Sequence, residues 1–274
     1  MTELSLVASL AKRLPHIGDD CAIVRHGDED LLFTTDLLVE DVHFRRTERS
    51  APDIGYRALA RSLSDIAAMG GDPRWATVAV ALPPWATERW VAAFYRGMLG
   101  VATRDRVEIV GGDFSRAPVL AVDVMICGTV PPGQALRRNG ARPGDAIYVS
   151  GPLGRGKWRF VPRLSLGRML RTYNATSCMD LSDGLSLDLY RLTMASGVSA
   201  DLNHIPIRPR ATLDDALHRG EDYELLFTLP PQVTPPRMVH RIGQITRGNV
   251  GQVTYNGVLV TPDGYDHFRS EPHP

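Results

Sequence analysis

The chain has 274 residues, and its 31 basic residues (Lys and Arg) balance 31 acidic ones, so the formal net charge is zero. A neutral chain lacks the positive field that nonspecific nucleic-acid binding or attachment to an anionic membrane requires, and we expect neither partner. An apolar content of 43% is typical of folded proteins, and the length suffices for two domains of ordinary size.

The cysteine pattern and the hydropathy of the chain both predict a cytoplasmic protein. Cys21, Cys127 and Cys178 lie far apart with no Cys-x-x-Cys spacing, which argues against a disulfide framework and a zinc ribbon. No apolar run approaches the roughly 18 residues that span a bilayer, and the first residues lack the basic and apolar stretches of a secretory signal. We expect Cys21 and Cys178 to lie in the core.

The first half of the chain alternates predicted helices and strands. Apolar residues at helical spacing predict a helix over 3–14, and Asp53 is placed to cap a second helix that stops at Gly70. Thr87 is placed to cap a third helix, which runs to about Ala102. Apolar runs predict strands at 31–35, 75–82, 107–110 and 119–130, with 111–115 as a loop between the last two. Such alternation is typical of a layered α/β domain.

Proline and glycine concentrate at 131–145, which makes this segment the best candidate for a domain boundary. Beyond it we predict a helix over 185–195 and strands at 146–150, 177–181, 223–229 and 253–260. The sequence therefore predicts two α/β domains, residues 1–135 and residues 136–274.

Acidic residues stand beside glycine or hydroxyl side chains at the ends of several predicted apolar segments. These motifs contain Asp20, Thr34, Thr35, Asp36, Asp65, Asp113, Asp180 and Asp183. Mg²⁺ prefers oxygen ligands, carboxylates above all, and is usually shared with substrate phosphates. Neighbouring glycines let backbone N–H groups approach phosphate oxygens closely. Because Asp-Gly pairs are also ordinary turn residues, the hypothesis of a magnesium and phosphate site depends on the whole set.

The most informative of these motifs is DLSDG at 180–184. On a strand, Asp180 and Ser182 share one face, and Gly184 permits a tight entry into the following helix, whose N-terminus attracts anions. Ser182 or Asp183 is also placed to be simply the N-cap of that helix, and the two roles are compatible.

Other catalytic signatures are incomplete. The segment GPLGRGK at 151–157 has the spacing of a P-loop, but Trp158 stands where that motif needs a hydroxyl for Mg²⁺, and Pro162 interrupts the helix that should follow. The eight histidines form no His-x-x-x-His or His-Glu-x-x-His pair, and the Gly-x-Ser-x-Gly elbow of a serine hydrolase is missing. Metal-bound histidine and serine-hydrolase chemistry are therefore disfavoured.

Seven segments, in the same order along almost the whole chain, resemble the motifs of thiamine-monophosphate kinase, within the superfamily of aminoimidazole ribonucleotide synthetase. They are IGDDCA at 17–22, TTDLLVEDVHF at 34–44, ALARSLSDIAAMG at 58–70, VGGD at 110–113, RNGARPGD at 138–145, DLSDG at 180–184 and GEDYEL at 220–225. VEDVHF and GEDYEL are more specific to this kinase than to its relatives.

The resemblance implies that the γ-phosphoryl group of ATP is transferred to the phosphate of thiamine monophosphate, which gives thiamine diphosphate. It also implies a homodimer whose N-terminal domains pair into a β-barrel, followed by a C-terminal α/β domain, with ATP near the interface. Because both reactants are polyanions, Mg²⁺ held by aspartates would offset their repulsion and align them for in-line transfer. The acceptor phosphate is already ionised at neutral pH, so no general base or covalent intermediate is expected.

Carried over motif by motif, the resemblance implies roles for individual residues. The metal-site residues are Asp20, Thr34, Thr35, Asp36, Asp65, Asp113, Asp180 and Asp183. The contacts to ATP are Gly112, Asp113, Arg138 and Ser182, and the substrate-side residues are His43, Glu221 and Tyr265. Two alternatives stay open, since His43 can be a satisfied core histidine and Tyr265 can merely pack the C-terminal tail.

The chain departs from the family pattern in three places. The stretch from 151 to 180 is shorter than expected, as if a helix were missing, and the segment after Glu221 is compressed. TRDR at 103–106 stands where an aromatic residue often lies near adenine, and an arginine there can stack on the base. These departures motivate two alternatives: a related ATP-dependent enzyme that acts on a different acceptor, and a non-catalytic nucleotide-binding paralogue.

Overall fold

The computed structural model describes residues 2–14 and 17–268. This part of the chain forms the α-helices α1 (Glu3–Ala11), α2 (Ala51–Ala68), α3 (Glu88–Asp105), α4 (Leu164–Thr172), α5 (Leu185–Ser196) and α6 (Leu213–His218). The first sheet contains β1 (Ala22–His26), β2 (Glu29–Val39), β3 (Asp72–Leu82), β4 (Glu108–Arg116) and β5 (Ala121–Val130). The second contains β6 (Ala146–Val149), β7 (Ser177–Asp180), β8 (Ser199–Leu202), β9 (Leu225–Leu229), β10 (His240–Thr246), β11 (Val253–Tyr255) and β12 (Val258–Leu259).

The first sheet is open, with the strand order β1-β2-β5-β3-β4. One face packs on α2 and α3 through alternating apolar residues such as Val122, Val124 and Ile126 of β5. The opposite face is partly exposed along the same strands, as at Leu37 and Trp75. The sheet therefore has one buried face and one that no other part of the described chain covers.

The second sheet has the order β12-β11-β8-β10-β6-β9-β7 and is buried on both faces at its centre. Along β6, Tyr148 belongs to the apolar core that contains α2, whereas Ile147 and Val149 belong to the core around α5. This alternation follows from the period of two in a strand. The result is a layered mixed α/β fold in which α2 lies between the two sheets.

Helix α2 is the central element of the fold, because it packs on the first sheet, on α3 and α4, and on β7 of the second sheet. It crosses α3 at very short range, since a Cβ added at Gly55 would lie 2.0 Å from the carbonyl oxygen of Phe94. Its N-cap is Ser50, whose side chain accepts a hydrogen bond from the backbone of Asp53. The prediction that Asp53 caps this helix is wrong by three positions, whereas the cap of α3 by Thr87 is confirmed.

Three further predictions from the sequence are wrong in detail. Residues 111–115 are not a loop, because β4 runs without a break and pairs in parallel with β3. Residues 253–260 are not one strand but the hairpin β11–β12, turned by Asn256 and Gly257 with positive φ angles, as a two-residue hairpin requires. Gly184, with φ of +116°, is the N-cap of α5, so neither Ser182 nor Asp183 holds that position.

The structure also contains elements that the sequence did not predict, namely β1, β8, β10, α4 and α6. These elements are short or carry few apolar residues, so tertiary packing determines them more than local pattern does. Residues 151–157 do not form a P-loop, since no helix follows them until Leu164. Cys21 and Cys178 lie in the core, as predicted, and Cys127 is also a buried free thiol. No helix within the described ranges is both long enough and apolar enough to cross a membrane.

Candidate active site

Three carboxylates from distant parts of the chain meet at one point. Asp20 precedes β1, Asp65 lies in the last turns of α2, and Asp180 ends β7. One oxygen of each lies within 4.8 Å of an oxygen of the other two. The central position of α2, between the sheet that starts after Asp20 and the strand that ends at Asp180, brings these side chains together.

Two hydroxyl groups orient these carboxylates. Ser64 Oγ donates a hydrogen bond of 2.6 Å to Asp180 Oδ2, and Thr34 Oγ1 donates one of 2.5 Å to Asp65 Oδ2. Thr34 was among the predicted metal-site residues, whereas Ser64 was not. Each hydroxyl stabilises the charged form of its carboxylate, which is the form that binds a cation.

The cluster carries more negative charge than its protein partners offset. Burial, followed by the charges of neighbouring carboxylates, raises the pKa of Asp65 and the pKa of Asp180 well above their usual range. Arg138 donates to Asp20 Oδ1 at 2.6 Å, but Asp20 Oδ2 is buried without a hydrogen-bond partner in the described structure. A buried carboxylate oxygen with no donor beside two other carboxylates is a site that fits a hard cation such as Mg²⁺.

The cluster borders a cavity of about 620 Å³ that collects most of the predicted site residues. Those that line it are Asp36, His43, Asp65, Asp180, Ser182, Asp183, Glu221 and Tyr265. Residues from both sheets and from the C-terminal segment therefore share one cleft, as a ligand site does.

The cavity is lined by predicted metal-side residues and by predicted substrate-side residues. The backbone of the DLSDG segment links these two groups. The carbonyl oxygen of Ser182 accepts a hydrogen bond from the backbone of Glu221, and that of Asp183 accepts one from the backbone of Tyr265. The side chain of Asp183 pairs with Arg191, and its backbone N–H donates to the buried Asp188. One loop thus positions residues predicted for the metal side and for the substrate side.

Three rings form one wall of the cavity. The ring centroid of His43 lies 6.5 Å from that of Tyr265 and 5.1 Å from that of His267, and those two rings lie 4.7 Å apart. Tyr265 therefore belongs to the cavity wall as well as to the C-terminal segment. Aromatic faces of this kind are suited to hold heteroaromatic ligands.

His43 presents a proton donor that no side chain of the described residues uses. Burial, with the nearby positive charge of Arg61, lowers the pKa of His43 to about 3, so the imidazole is neutral at pH 7. The backbone N–H of Val39 donates to Nδ1 at 3.0 Å, which leaves the proton on Nε2. Nε2 is buried and has no partner within the described structure. With this donor orphaned beside the cavity, His43 is not a fully satisfied core histidine.

Arg57 of α2 forms an ion pair with Glu221 and holds its carboxylate in place. The Arg57 guanidinium is buried, lies 2.8 Å from the Glu221 carboxylate, and packs over the rings of Trp158 and Tyr223 at 4.4 and 5.1 Å. Glu221 has a positive φ of +69°, a conformation that an ordinary residue adopts only where its surroundings impose it.

Two predicted residues face away from the three-carboxylate cluster in a single chain. Thr35 Oγ1 donates to Asp123 on the uncovered face of the first sheet. Asp113 lies on edge strand β4 in register with Ala79, which is in register with Asp123, so it shares that face. Gly112 is beside it on the edge strand, where a Cβ would lie 1.9 Å from Val78 O. Thr35 and Asp113 are thus on the face of the first sheet that is opposite to the cluster.

The edge of the Arg104 guanidinium is occupied by neighbouring side chains, and its stacking on a base stays a prediction. It donates to Asp105 and, at 2.8 Å, to the hydroxyl of Tyr56. The sequence analysis missed several residues that position the site. They are Arg57, Arg61, Ser64, Asp188 and Arg191. Arginine is so frequent in this chain that spacing alone did not single out Arg57 and Arg61, although four residues apart on a helix they share a face.

Comparison with known proteins decides the family. Residues 18–130 match the model of the AIR synthase related protein, N-terminal domain. The thiamine-monophosphate kinase of Salmonella typhimurium is 35% identical, with 92% of this chain and 91% of the relative aligned. That of Bacillus subtilis is 32% identical over 98% of this chain and all of the relative. This chain belongs to the thiamine-monophosphate kinase family.

The solved structures agree with this assignment, and the resemblance seen in the sequence is confirmed. The structure described as AaThiL complexed with AMPPCP and TMP superposes with a TM-score of 0.91 at 30% identity over 97% of each chain. The alignment with the Salmonella relative extends over 301 residues although this chain has 274, so the relative contains additional segments. This agrees with the shortening noticed in the sequence, although the location of each gap stays a prediction.

Proposed function

We propose that this chain transfers the γ-phosphoryl group of ATP to the phosphate of thiamine monophosphate. The observation that carries the proposal is that the cluster of Asp20, Asp65 and Asp180 borders the same cavity as the ring wall and Glu221. Family membership and the likeness to a kinase solved with an ATP analogue and TMP support it. A carboxylate cluster suits the phosphate-rich end of such a reaction, and the rings suit its heteroaromatic end.

Mg²⁺ bound by the cluster would neutralise the facing phosphates and polarise the group that is transferred. The residues that would hold it are Asp20, Asp65 and Asp180, with Thr34, Asp36 and Asp183 beside them. The orphaned oxygen of Asp20 fits this role. Ser64 and Thr34 hold two of the carboxylates in place. Preorganised ligands of this kind need no rearrangement during the reaction.

On the substrate side, the residues bind and orient rather than exchange protons. His43 offers its Nε2 proton, and Tyr265 and His267 offer ring faces to the thiamine rings. Glu221, fixed by Arg57, supplies a carboxylate to a cationic or N–H group of the substrate. The acceptor phosphate is ionised at neutral pH, so no side chain has to act as a general base.

For ATP, we propose contacts from Gly112, Asp113, Arg138 and Ser182. Ser182 lines the cavity, and Arg138 is bound to Asp20 of the cluster, which supports their place at the phosphate end. Gly112, Asp113 and Thr35 lie on the uncovered side or edge of the first sheet. Their participation therefore requires that a second copy of the chain completes the site.

We further propose a homodimer in which two first sheets close into a β-barrel. The partly exposed face that carries Leu37 and Trp75, and an edge strand that exposes Val110 and Phe114, support this arrangement. The division into domains 1–135 and 136–274 is supported by the strands, since those of the first sheet end at Val130 and those of the second start at Ala146. The three unpaired cysteines support a reducing, cytoplasmic location.

A turnover assay with ATP, Mg²⁺ and thiamine monophosphate tests the activity. We expect thiamine diphosphate and ADP in equal amounts, and we expect Asp180→Asn to remove at least 99% of turnover, roughly the effect of losing one ligand of a catalytic metal site. Asp201→Asn, an aspartate of β8 hydrogen-bonded to Thr254, is the matched control and should keep wild-type turnover. ADP release only with another acceptor would replace the proposal with a related enzyme, and ATP binding without any turnover would indicate a non-catalytic paralogue.

A further inference from the structure

Arg61 of α2 places a guanidinium in the same cavity, four residues before Asp65 and four after Arg57. Only 12% of its side chain is exposed. Nη2 lies 3.2 Å from Asp36 Oδ1, and Nη1 donates to the carbonyl oxygen of Leu37 at 3.2 Å. Nε is buried and has no hydrogen-bond partner in the described structure. A guanidinium has five N–H donors, so these two contacts leave donors available.

Arg61 lies between the carboxylate cluster and the substrate-side residues, because on α2 it is followed by Asp65 and preceded by Arg57, which contacts Glu221. Burial lowers the pKa of Arg61, but the nearby groups Tyr223, Asp36, Glu221 and Asp65 together outweigh burial and raise it. Arg61 in turn lowers the pKa of His43, after burial. Asp65 belongs to the carboxylate cluster, whereas Glu221 and His43 belong to the substrate-side residues. The guanidinium therefore lies where these two groups of residues meet.

Arg61 is also the buried positive charge of a predominantly acidic cavity. The acidic residues that line it are Glu3, Asp36, Asp65, Asp180, Asp183, Asp214, Asp215, Glu221 and Asp263. Among the described lining residues, the other arginine is Arg219, whose side chain is 53% exposed and pairs with Asp215. His43 is uncharged at neutral pH, as its lowered pKa requires. Among the described residues that line this cleft, Arg61 provides the buried guanidinium for an entering phosphate.

We infer that Arg61 binds the phosphate group of the acceptor, a phosphomonoester attached to a heteroaromatic body. The inference rests on the proposed function and deepens it. The heteroaromatic body lies against the ring wall, and its phosphate then reaches the junction occupied by Arg61 before it reaches the carboxylate cluster. Guanidinium is suited to this contact, because it is always charged and binds phosphate oxygens through parallel N–H donors.

The test compares a ligand with and without the phosphate. Binding of thiamine monophosphate and of thiamine is measured by calorimetry with wild type and Arg61→Met, at one Mg²⁺ concentration and with a non-hydrolysable ATP analogue present. We expect Arg61→Met to weaken binding of the monophosphate about 10- to 100-fold, the usual effect of losing a hydrogen bond between charged groups. Binding of thiamine should change less than about twofold. Equal weakening of both ligands, or of neither, would overturn the inference.

Two further variants keep the test decisive. Arg61→Lys retains the charge but not the planar fork, so it should lie between wild type and Arg61→Met, and it serves if Arg61→Met does not fold. Arg96→Met changes an exposed arginine of α3 and should bind both ligands like wild type. The inference would be contradicted if Arg61→Lys and a folded Arg61→Met both bound thiamine monophosphate as tightly as wild type and Arg96→Met do.

A spectroscopic measurement separates contact from a structural role. The second pKa of the bound phosphate is followed by ³¹P NMR, and a guanidinium contact holds it lower in wild type than in Arg61→Met. An unchanged phosphate titration would overturn the inference even if affinity fell. Wild-type turnover distinguishes failure of the inference from failure of the proposed function. If wild type converts thiamine monophosphate but the Arg61 variants bind it normally, only the inference is wrong. No turnover with this acceptor sinks the proposed function itself.

Discussion

Ser64 of α2 donates a hydrogen bond of 2.6 Å to Asp180 at the end of β7, and both groups are buried. This bond joins the helix that packs on the first sheet to a strand of the second sheet. The residue after Ser64 is Asp65, whose carboxylate lies beside that of Asp180. One turn of one helix thus supplies both a carboxylate of the cluster and the group that orients another.

The first prediction is that Ser64→Ala raises the Mg²⁺ concentration needed for half-maximal turnover about tenfold. The variant removes a hydrogen bond to a carboxylate, which is worth about 1.5 kcal/mol or more. Ser62→Ala is the matched control, because Ser62 is buried on the same helix but donates to the neutral carbonyl of Val124. Turnover is measured over a Mg²⁺ titration for both. A shift of the same size in Ser62→Ala would mean that helix stability, not orientation of Asp180, is responsible.

The second prediction concerns Asp36, which faces the cavity and pairs with Arg61 at 3.2 Å. Asp36→Asn should lower turnover at least 100-fold but lower the unfolding free energy by only about 1 kcal/mol, as expected for a partly solvated ion pair. Steady-state turnover and a metal-free thermal melt measure the two effects. Asp28→Asn, in the exposed turn between β1 and β2, should leave both unchanged. Near-normal activity of Asp36→Asn with a wild-type melt would contradict the assignment.

The sequence predicted the family and eight of the residues that line the cavity, because their motifs are contiguous, as DLSDG at 180–184 and GEDYEL at 220–225 are. The alternation of side chains along a strand could have predicted that Thr34 and Thr35 lie on opposite faces of the sheet. Adjacent residues on a strand point to opposite faces, and only Thr34 reaches Asp65. The hairpin turn of Asn256 and Gly257 was a second local signal that was missed.

Other features could not be predicted from local pattern. The meeting of Asp20, Asp65 and Asp180 depends on the packing of α2 between two sheets, and no periodicity encodes it. The roles of Arg57 and Arg61 depend on which face of α2 borders the cavity. Residues 111–115 form a strand despite two glycines because β3 offers a partner along their whole length, so tertiary pairing outweighs the low β-propensity of glycine.

The third prediction tests the homodimer. Trp75 is 45% exposed on the uncovered face of the first sheet, and a charge there would be buried without a partner if two sheets closed over it. Sedimentation should give a dimer for wild type and a monomer for Trp75→Glu. Met238→Glu, at a side chain that is 90% exposed between β9 and β10, should remain a dimer. A wild-type monomer, or a dimeric Trp75→Glu, would refute a barrel built on this face.

The fourth prediction concerns pH and stability through Asp222, which accepts a hydrogen bond from the backbone of Gly154. Burial raises the pKa of Asp222 to about 6 in the folded protein, against 3.8 for an ordinary aspartate. The folded state therefore holds the proton more tightly, and this group adds stability as the pH falls from above 6 towards 4. Relative to Asp222→Asn, wild type should gain about 1 kcal/mol between pH 7.5 and 5. Denaturant unfolding at the two pH values measures this difference, and a constant difference would refute it.

The fifth prediction uses two glycines of α3 that differ only in what lies opposite them. A Cβ at Gly97 would lie 1.9 Å from the carbonyl oxygen of Pro52 on α2, whereas a Cβ at Gly100 would meet nothing within 4 Å. Gly97→Ala must push α2 and α3 apart, and we expect a loss of about 2–3 kcal/mol of unfolding free energy, the size of an overpacking defect. Because α2 carries Asp65, we also expect the Mg²⁺ requirement to rise.

Gly100→Ala is the matched control for this change. It adds the same methyl group to the same helix in open space, so helix propensity alone should stabilise the protein by up to about 1 kcal/mol. Urea unfolding of the two variants should therefore shift in opposite directions. If both alanines stabilise, the close approach of α2 and α3 does not hold in solution, and α2 is then not fixed at the depth that brings Asp65 to Asp20 and Asp180.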